Sequence, residues 1–274
     1  MEDFSFRDEL QQNPINLIRA SLRFAQEIAY PGLDPYVYLA RLDHLARSAQ
    51  QFLDPEAPVQ TKADGVADFL FRQLGFSGNS AAYHDPRNSY LNEVLDRRLG
   101  IPISLTVIFI SVAYRLGLPV FGVGLPGHFI AGVRSGDKVY YYDPFHGGGR
   151  LDEADCEQLV RTTIGYSGVF NSDWLQPVSA SQILTRMLNN LRLIYIQSQK
   201  WDNARRVIHH LHLLQPDQPE LLRDLGFVYH QSGKLNKAVS YYELYLLRGR
   251  PPAEEAEAIT RALRTVAFQL ARRN

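Results

Sequence analysis

A histidine and an aspartate, His128 and Asp143, stand in the run GIPISLTVIFISVAYRLGLPVFGVGLPGHFIAGVRSGDKVYYYDPFHGG, which extends from Gly100 to Gly148. An imidazole held by a carboxylate is the base-and-orienter half of an acyl-transfer site, and it does chemistry when a nucleophile reaches the ring. The spacing allows that pair to form. If Ser135 and Gly136 are a two-residue hairpin loop, cross-strand partners have numbers summing to 271, which places His128 opposite Asp143. Directly opposed residues have Cβ atoms about 4.5–5.5 Å apart, close enough for the two side chains to touch.

The candidate nucleophile lies upstream. Ile101 to Leu116 is apolar apart from Ser104, Thr106, Ser111 and Arg115 and reads as a helix buried on most sides, with Pro102 suited to its first turn. Ser104 then sits at the positive end of that helix, where a developing oxyanion is best stabilised. Two uses of its hydroxyl stay open: attack on an acyl group with His128 as base, or capping of the helix's own N–H groups. The only cysteine, Cys156, is surrounded by Asp152, Glu153, Asp155 and Glu157, a setting that disfavours a thiolate.

The order helix, "RLGLPVFGVG", a strand histidine and "YYDP" resembles the core of the transglutaminase-like superfamily, which includes papain-like acyl-transfer enzymes. "NSYLNEVLDRRLGIPISL", "PGHFIAG" and "DPFHGG", followed by helical repeats, are similar to the bacterial SirB-type family, in which a transglutaminase-like domain precedes tetratricopeptide repeats. The resemblance covers nearly the whole chain. It implies an α+β fold: a helical N-terminal region, a small antiparallel sheet packed on a buried helix, then an all-α array. It also implies that His128 and Asp143 occupy the superfamily's His and Asp positions. The superfamily's Cys has no counterpart: counting back from "LGLP" lands on Pro102, two residues before Ser104. With that residue missing, the resemblance points to a non-catalytic or weakly catalytic protein-binding or regulatory protein. The alternative is a Ser-dependent acyl hydrolase or transferase acting on a peptide or amide through Ser104, His128 and Asp143.

The C-terminal part carries its own period. Leu191 and Leu225, Tyr195 and Tyr229, Lys200 and Lys234, and Ala204 and Ala238 are each 34 residues apart, the tetratricopeptide spacing. In the second copy Gly226 and Gly233 supply the close approach and the turn; Arg192 and Gln199 stand at those positions in the first. Helices are expected over 181–198, 201–214, 218–231, 235–248 and 253–271. The last presents Ala256, Ile259, Leu263, Val266 and Leu270 as a cap for the array. Domains are expected at 1–177 and 178–274, joined by the linker Gly165–Pro177, whose Phe170 and Trp174 are expected to pack the two together. Arrays of this kind present a groove to a protein or peptide, the partner expected here.

Upstream, helices are expected over 14–30, from Asp34-Pro35 to Phe52, over 62–74, and over 89–99 with Gly100 as a left-handed cap. The turn-rich GFSGNSAAYHDPR between the last two borders the buried helix, and Tyr83, His84 and Asn88 are candidate cleft residues. His146 is another; the glycines after it lack the spacing of a phosphate loop and read as a flexible turn. No cofactor is expected. Nor is a metal site: His209, His210 and His212 share a helix with no carboxylate or Cys at a supporting spacing.

Charge and composition narrow the classes further. With 29 basic and 29 acidic residues the net charge is zero, which gives no field for drawing in nucleic acid or an anionic membrane. One cysteine permits no intrachain disulfide, and the acidic start MEDFSFRDEL lacks the basic head and apolar core of a signal peptide, so a cytoplasmic location is expected. The most apolar stretch is interrupted by Pro102, Arg115 and Pro119, short of the roughly 20 apolar residues a membrane helix needs.

Overall fold

The computed structural model describes residues 5–272. The first four residues of the acidic start lie outside the described residues, as do the last two of the chain. No helix among the described residues is long and apolar enough to cross a membrane.

Four helices come first: α1 (Phe6–Leu10), α2 (Leu17–Ile28), α3 (Pro35–Gln50) and α4 (Val59–Ala67), the last running on into a π-helical turn at Asp68–Gln73. Asp34 caps α3 by accepting the Tyr36 N–H, with Pro35 at the first helical position. The short strands β1 (Ser77–Gly78) and β2 (Leu99–Gly100) pair in parallel and flank α5 (Leu91–Arg97). Gly100 is therefore not the cap expected of it. Arg98 takes the left-handed position at φ 58°, because Leu99 and Gly100 are already extended in β2.

Next come α6 (Pro102–Arg115) and the strands β3 (Val120–Val123), β4 (Ile130–Ser135), β5 (Lys138–Asp143) and β6 (Gly149–Leu151). After α7 (Glu153–Ile164), β7 (Pro177–Val178) completes an antiparallel sheet of order β6-β5-β4-β3-β7. The glycine run expected as a flexible turn is partly sheet, since Gly149 and Arg150 belong to β6. Alternate strand residues point to opposite faces of the sheet, and here both faces are apolar. Phe129, Ala131, Val133 and Tyr142 join the core around α6, while Val123, Leu125 and Ile130 pack with Cys156 and Val160 of α7. Tyr166, Phe170 and Trp174 belong to this second cluster. The linker aromatics thus pack against the cluster between α7 and the sheet instead of joining two domains.

Five helices end the chain: α8 (Ala180–Gln197), α9 (Trp201–Leu214), α10 (Glu220–Gln231), α11 (Leu235–Gly249) and α12 (Ala253–Ala271). The 34-residue pairs are equivalent in space: Leu191 and Leu225, Tyr195 and Tyr229, and Ala204 and Ala238 are buried in both copies. Gln199 and Gly233 both turn the chain with positive φ, 55° and 71°. Gly226 lies so close to Tyr242 that a Cβ there would meet the ring at 2.5 Å, the small-against-large fit that brings α10 and α11 together. α12 covers the open end with Ile259 and Val266 buried.

The core does not divide between the two halves. Ile183, Leu184, Met187 and Leu188 of α8 join one buried cluster with Leu22, Phe24, Leu91 and Phe109. Tyr90 and Tyr195 share a hydroxyl–hydroxyl bond of 2.8 Å. Glu27 of α2 accepts the Phe6 N–H at 2.7 Å and a ring N–H of His210 at 2.9 Å, so one carboxylate ties α1, α2 and α9. His210 thus has a carboxylate partner after all, supplied from 183 residues away in the chain. Burial pushes the Glu27 carboxyl up, but the hydrogen bonds from His210 and Phe6 outweigh it and hold it below its ordinary value.

Two predictions follow from this continuity. Residues 179–274 made alone would expose the apolar face of α8 and are expected to show no cooperative thermal transition; a sharp calorimetric peak for that fragment would contradict the shared core. Glu27, with its folded pKa depressed, contributes stability above its ordinary pKa near 4.3 that is lost as pH falls through the lowered value. Glu27→Gln is expected to cost about 1 kcal/mol at pH 7, after allowance for partial exposure, and to flatten the fall in Tm between pH 5 and 3. Circular dichroism melts across that range check it.

Candidate functional site

The sequence DPFH builds the first part of the site locally. Asp143 ends β5 and caps a 3-10 turn over Pro144–His146, accepting the Phe145 N–H at 3.1 Å, with Pro144 pre-set at the first position. A 3-10 helix has three residues per turn, so residue i+3 returns over residue i. His146 accordingly stands over its own cap, donating from Nδ1 to Asp143 Oδ2 at 2.6 Å.

His128 reaches the same carboxylate from the chain before β4. Its Nε2–H donates to Asp143 Oδ1 at 2.9 Å, and both side chains are buried. The hairpin that brings them together turns at Gly136 and Asp137, one residue later than expected, so paired residues sum to 273, as in Ser135↔Lys138 and Ala131↔Tyr142. His128 and Asp143 are therefore diagonal neighbours. The slip is by two positions of the sum, which keeps the face unchanged, and the imidazole still meets the carboxylate.

The backbone around His128 is fixed from both sides. Thr106 of α6 donates to the Phe129 carbonyl at 3.2 Å. Arg186 of α8 donates to the carbonyls of His128 at 2.7 Å and Leu125 at 3.1 Å, and lies over the Phe129 ring. Neither residue is marked by spacing in the sequence; Arg186 acts from 58 residues away. Burial pushes the Asp143 carboxyl up, yet the hydrogen bonds and charges of His128 and His146 outweigh this and leave it below its usual range. The carboxylate is thus ionised near neutral pH and accepts from Nε2 of His128, which leaves Nδ1 as the ring nitrogen turned away from it.

Ser104 is engaged elsewhere. Fully buried in the first turn of α6, its hydroxyl donates to the Asn88 carbonyl at 2.6 Å and accepts the Ile101 N–H at 3.1 Å. Among the described residues no hydrogen bond links it to His128. Asn88 is also fully buried: its amide donates to the carbonyls of Ala82 (2.7 Å) and Tyr83 (3.2 Å), and its oxygen accepts from Asn79 (3.0 Å) and, at 3.4 Å, from Arg97. It holds the 79–88 loop from within, and its amide faces loop groups, not an open cleft. Tyr83 is half exposed and meets Phe145 edge-on at 6.0 Å, with the His84 ring beside it; Phe145 in turn lies against His128 and His146. The structure therefore groups His128, Asp143, His146 and Tyr83, and sets Ser104 with Asn88. Cys156 stands apart, on the α7 side of the sheet, where burial and then the carboxylates of Asp155 and Asp152 push its thiol up to about 12.

Residues 36–189 match the transglutaminase-like superfamily and residues 191–264 match the tetratricopeptide repeat. A UPF0162 protein of Xylella fastidiosa is 40% identical over 240 residues, covering 84% of each chain. Mouse F-box only protein 21 is 30% identical over 238 residues, 81% of this chain but 35% of that longer protein. A crystal structure of menin that reveals its binding site for the Mixed Lineage Leukemia protein aligns with 88% of this chain and 67% of menin at a TM-score of 0.41 and 14% identity. With more than half of its length matched to the superfamily, repeats following, and a relative 40% identical over 84% of both chains, the chain belongs to the transglutaminase-like superfamily and, within it, to the UPF0162 proteins.

Proposed function

We propose that this protein acts by binding another protein or a peptide, with its transglutaminase-like domain non-catalytic or weakly catalytic. The observation that carries this reading is the commitment of Ser104: both hydrogen-bonding functions of its hydroxyl are used on main-chain groups inside the core. An acyl-transfer serine has to deliver its proton to the base, and His128 Nδ1 has no hydroxyl hydrogen-bonded to it among the described residues. Fold kinship supplies the scaffold and does not supply the activity.

The repeats offer the binding surface. Along α8 and the end of α9 runs a recess of about 260 Å³ lined by Ser181, Gln182, Thr185, Arg186, Asn189, Asn190 and Gln215. Its amides and hydroxyls both donate and accept, which suits the N–H and C=O groups of an extended segment. Arg186 lines this recess and donates to the His128 carbonyl, so the recess and the His–Asp pair share one residue.

The Ser-dependent acyl hydrolase or transferase reading has one observation in its favour, the His128–Asp143 bond, and requires Ser104 to give up both of its present partners. A fluorophosphonate probe tests it directly. No labelling of Ser104 is expected, and Ser104→Ala is expected to cost about 1–3 kcal/mol of stability through the orphaned Ile101 N–H and Asn88 carbonyl, without loss of any acyl-transfer activity. Labelling that disappears in both Ser104→Ala and His128→Ala would overturn the binding reading. In parallel, proteins crosslinked to the intact chain are expected to be kept by His128→Ala and lost by Asn189→Arg and Asn190→Arg at unchanged Tm.

A further inference from the structure

Asp143 is a buried carboxylate whose hydrogen-bonded and ion-paired partners among the described residues include no lysine or arginine; its compensation comes from two imidazoles and the Phe145 N–H. A charge taken out of water needs close compensation. One donor atom from each of His128, Asp143 and His146 lies within 4.8 Å of the other two. The two rings are 16° from parallel with centroids 5.5 Å apart, so both nitrogens are turned toward the carboxylate between them.

We propose that His128 Nε2, Asp143 and His146 Nδ1 form a binding site for a divalent transition metal ion, with Zn²⁺ the best fit. Two imidazoles and one carboxylate are a borderline N/O donor set, the kind that takes zinc and its neighbours in preference to calcium or magnesium. Metal–ligand bonds of about 2.0–2.2 Å place neighbouring donors of a tetrahedral ion roughly 3.4 Å apart. The present N···O separations of 2.9 and 2.6 Å are those of hydrogen bonds, so the ion enters when the donors part by several tenths of an ångström. Each imidazole then shifts its proton to the other ring nitrogen and offers the lone pair.

The fold gives that movement to one ligand. His128 and Asp143 are held, the first by the backbone grips of Arg186 and Thr106, the second by its place at the end of β5 and its cap on the 3-10 turn. The Gly148 N–H, bonded to the Asp143 carbonyl at 2.7 Å, keeps the backbone of the turn in place, while His146 has 59% of its side chain exposed, so its ring can turn away from the carboxylate without unpacking the core. Its exposure also leaves the fourth position of a tetrahedral ion facing solvent, the arrangement of an open zinc site. The α9 histidines form no equivalent group, since His210 is turned to Glu27 and His209 to Tyr229.

The test uses the intact, tag-free chain and the metal alone. Calorimetric titration with Zn²⁺ is expected to give one site with a Kd in the micromolar range or below, and Co²⁺ to develop visible absorption bands of a four-coordinate ion. His146→Ala, a change at an exposed side chain, is expected to weaken binding at least tenfold while the metal-free protein still melts cooperatively, and Asp143→Asn to abolish it. Absence of stoichiometric Zn²⁺ binding below about 100 µM, or binding that His146→Ala leaves intact, would overturn the proposal. It is independent of the protein-binding reading: zinc binding without a captured partner, or the reverse, separates the two.

Discussion

A helix without a polar stripe must be covered on every side, and α6 imposes that requirement on the whole molecule. Ile103, Leu105, Val107, Ile108, Phe109 and Val112 are all buried, and they do not lie on one face of the helix. No single layer can satisfy such a helix, so α3, α4 and α5, the strands β3 and β4, and α8 of the repeats each close part of its circumference. The continuity of the core is a result of this demand. The repeats are not an appendage tethered by a linker, because one of their helices is a wall of the compartment that buries α6. With two copies, fewer than stack stably alone, the repeats in turn gain an anchor.

Much of this was legible in the chain. The helices expected over 201–214 and 253–271 coincide with α9 and α12, since the 34-residue period and the paired prolines before Ala253 mark their ends unambiguously. The period even located Gln199, a residue with a side chain doing the backbone work of Gly233. Local chemistry was readable wherever its cause was local, as with the Asp34 cap or the β4–β5 hairpin. Even there the turn was misplaced by one residue, because both Ser-Gly and Gly-Asp suit a tight hairpin and only packing chooses between them. The pairing of His128 with Asp143 survived that error because strand faces alternate every residue.

What composition and spacing do not reveal are contacts made by backbone atoms or by distant side chains. Ser104 finds its acceptor in a carbonyl 16 residues earlier, and no residue type announces a carbonyl. The Glu27–His210 pair joins opposite ends of the sequence, so the histidine cluster of α9 read as lacking a carboxylate when one was waiting on α2. The aromatics of the 165–177 segment were legible as packing residues, but not the surface they would pack on.

Arg186 has a last implication, for how such a chain can drift. Both of its hydrogen bonds end on main-chain oxygens, which every amino acid carries, so the grip on the 125–128 segment is blind to the side chains there. The guanidinium itself has no such latitude. Two oxygens approached by one flat, forked cation call for arginine, and a lysine would bring a single rotating ammonium in its stead. Across descendants of this sequence, that arm is where change should be least tolerated, while in the segment it clasps the restraint falls on what each side chain does for itself, as His128 does on Asp143.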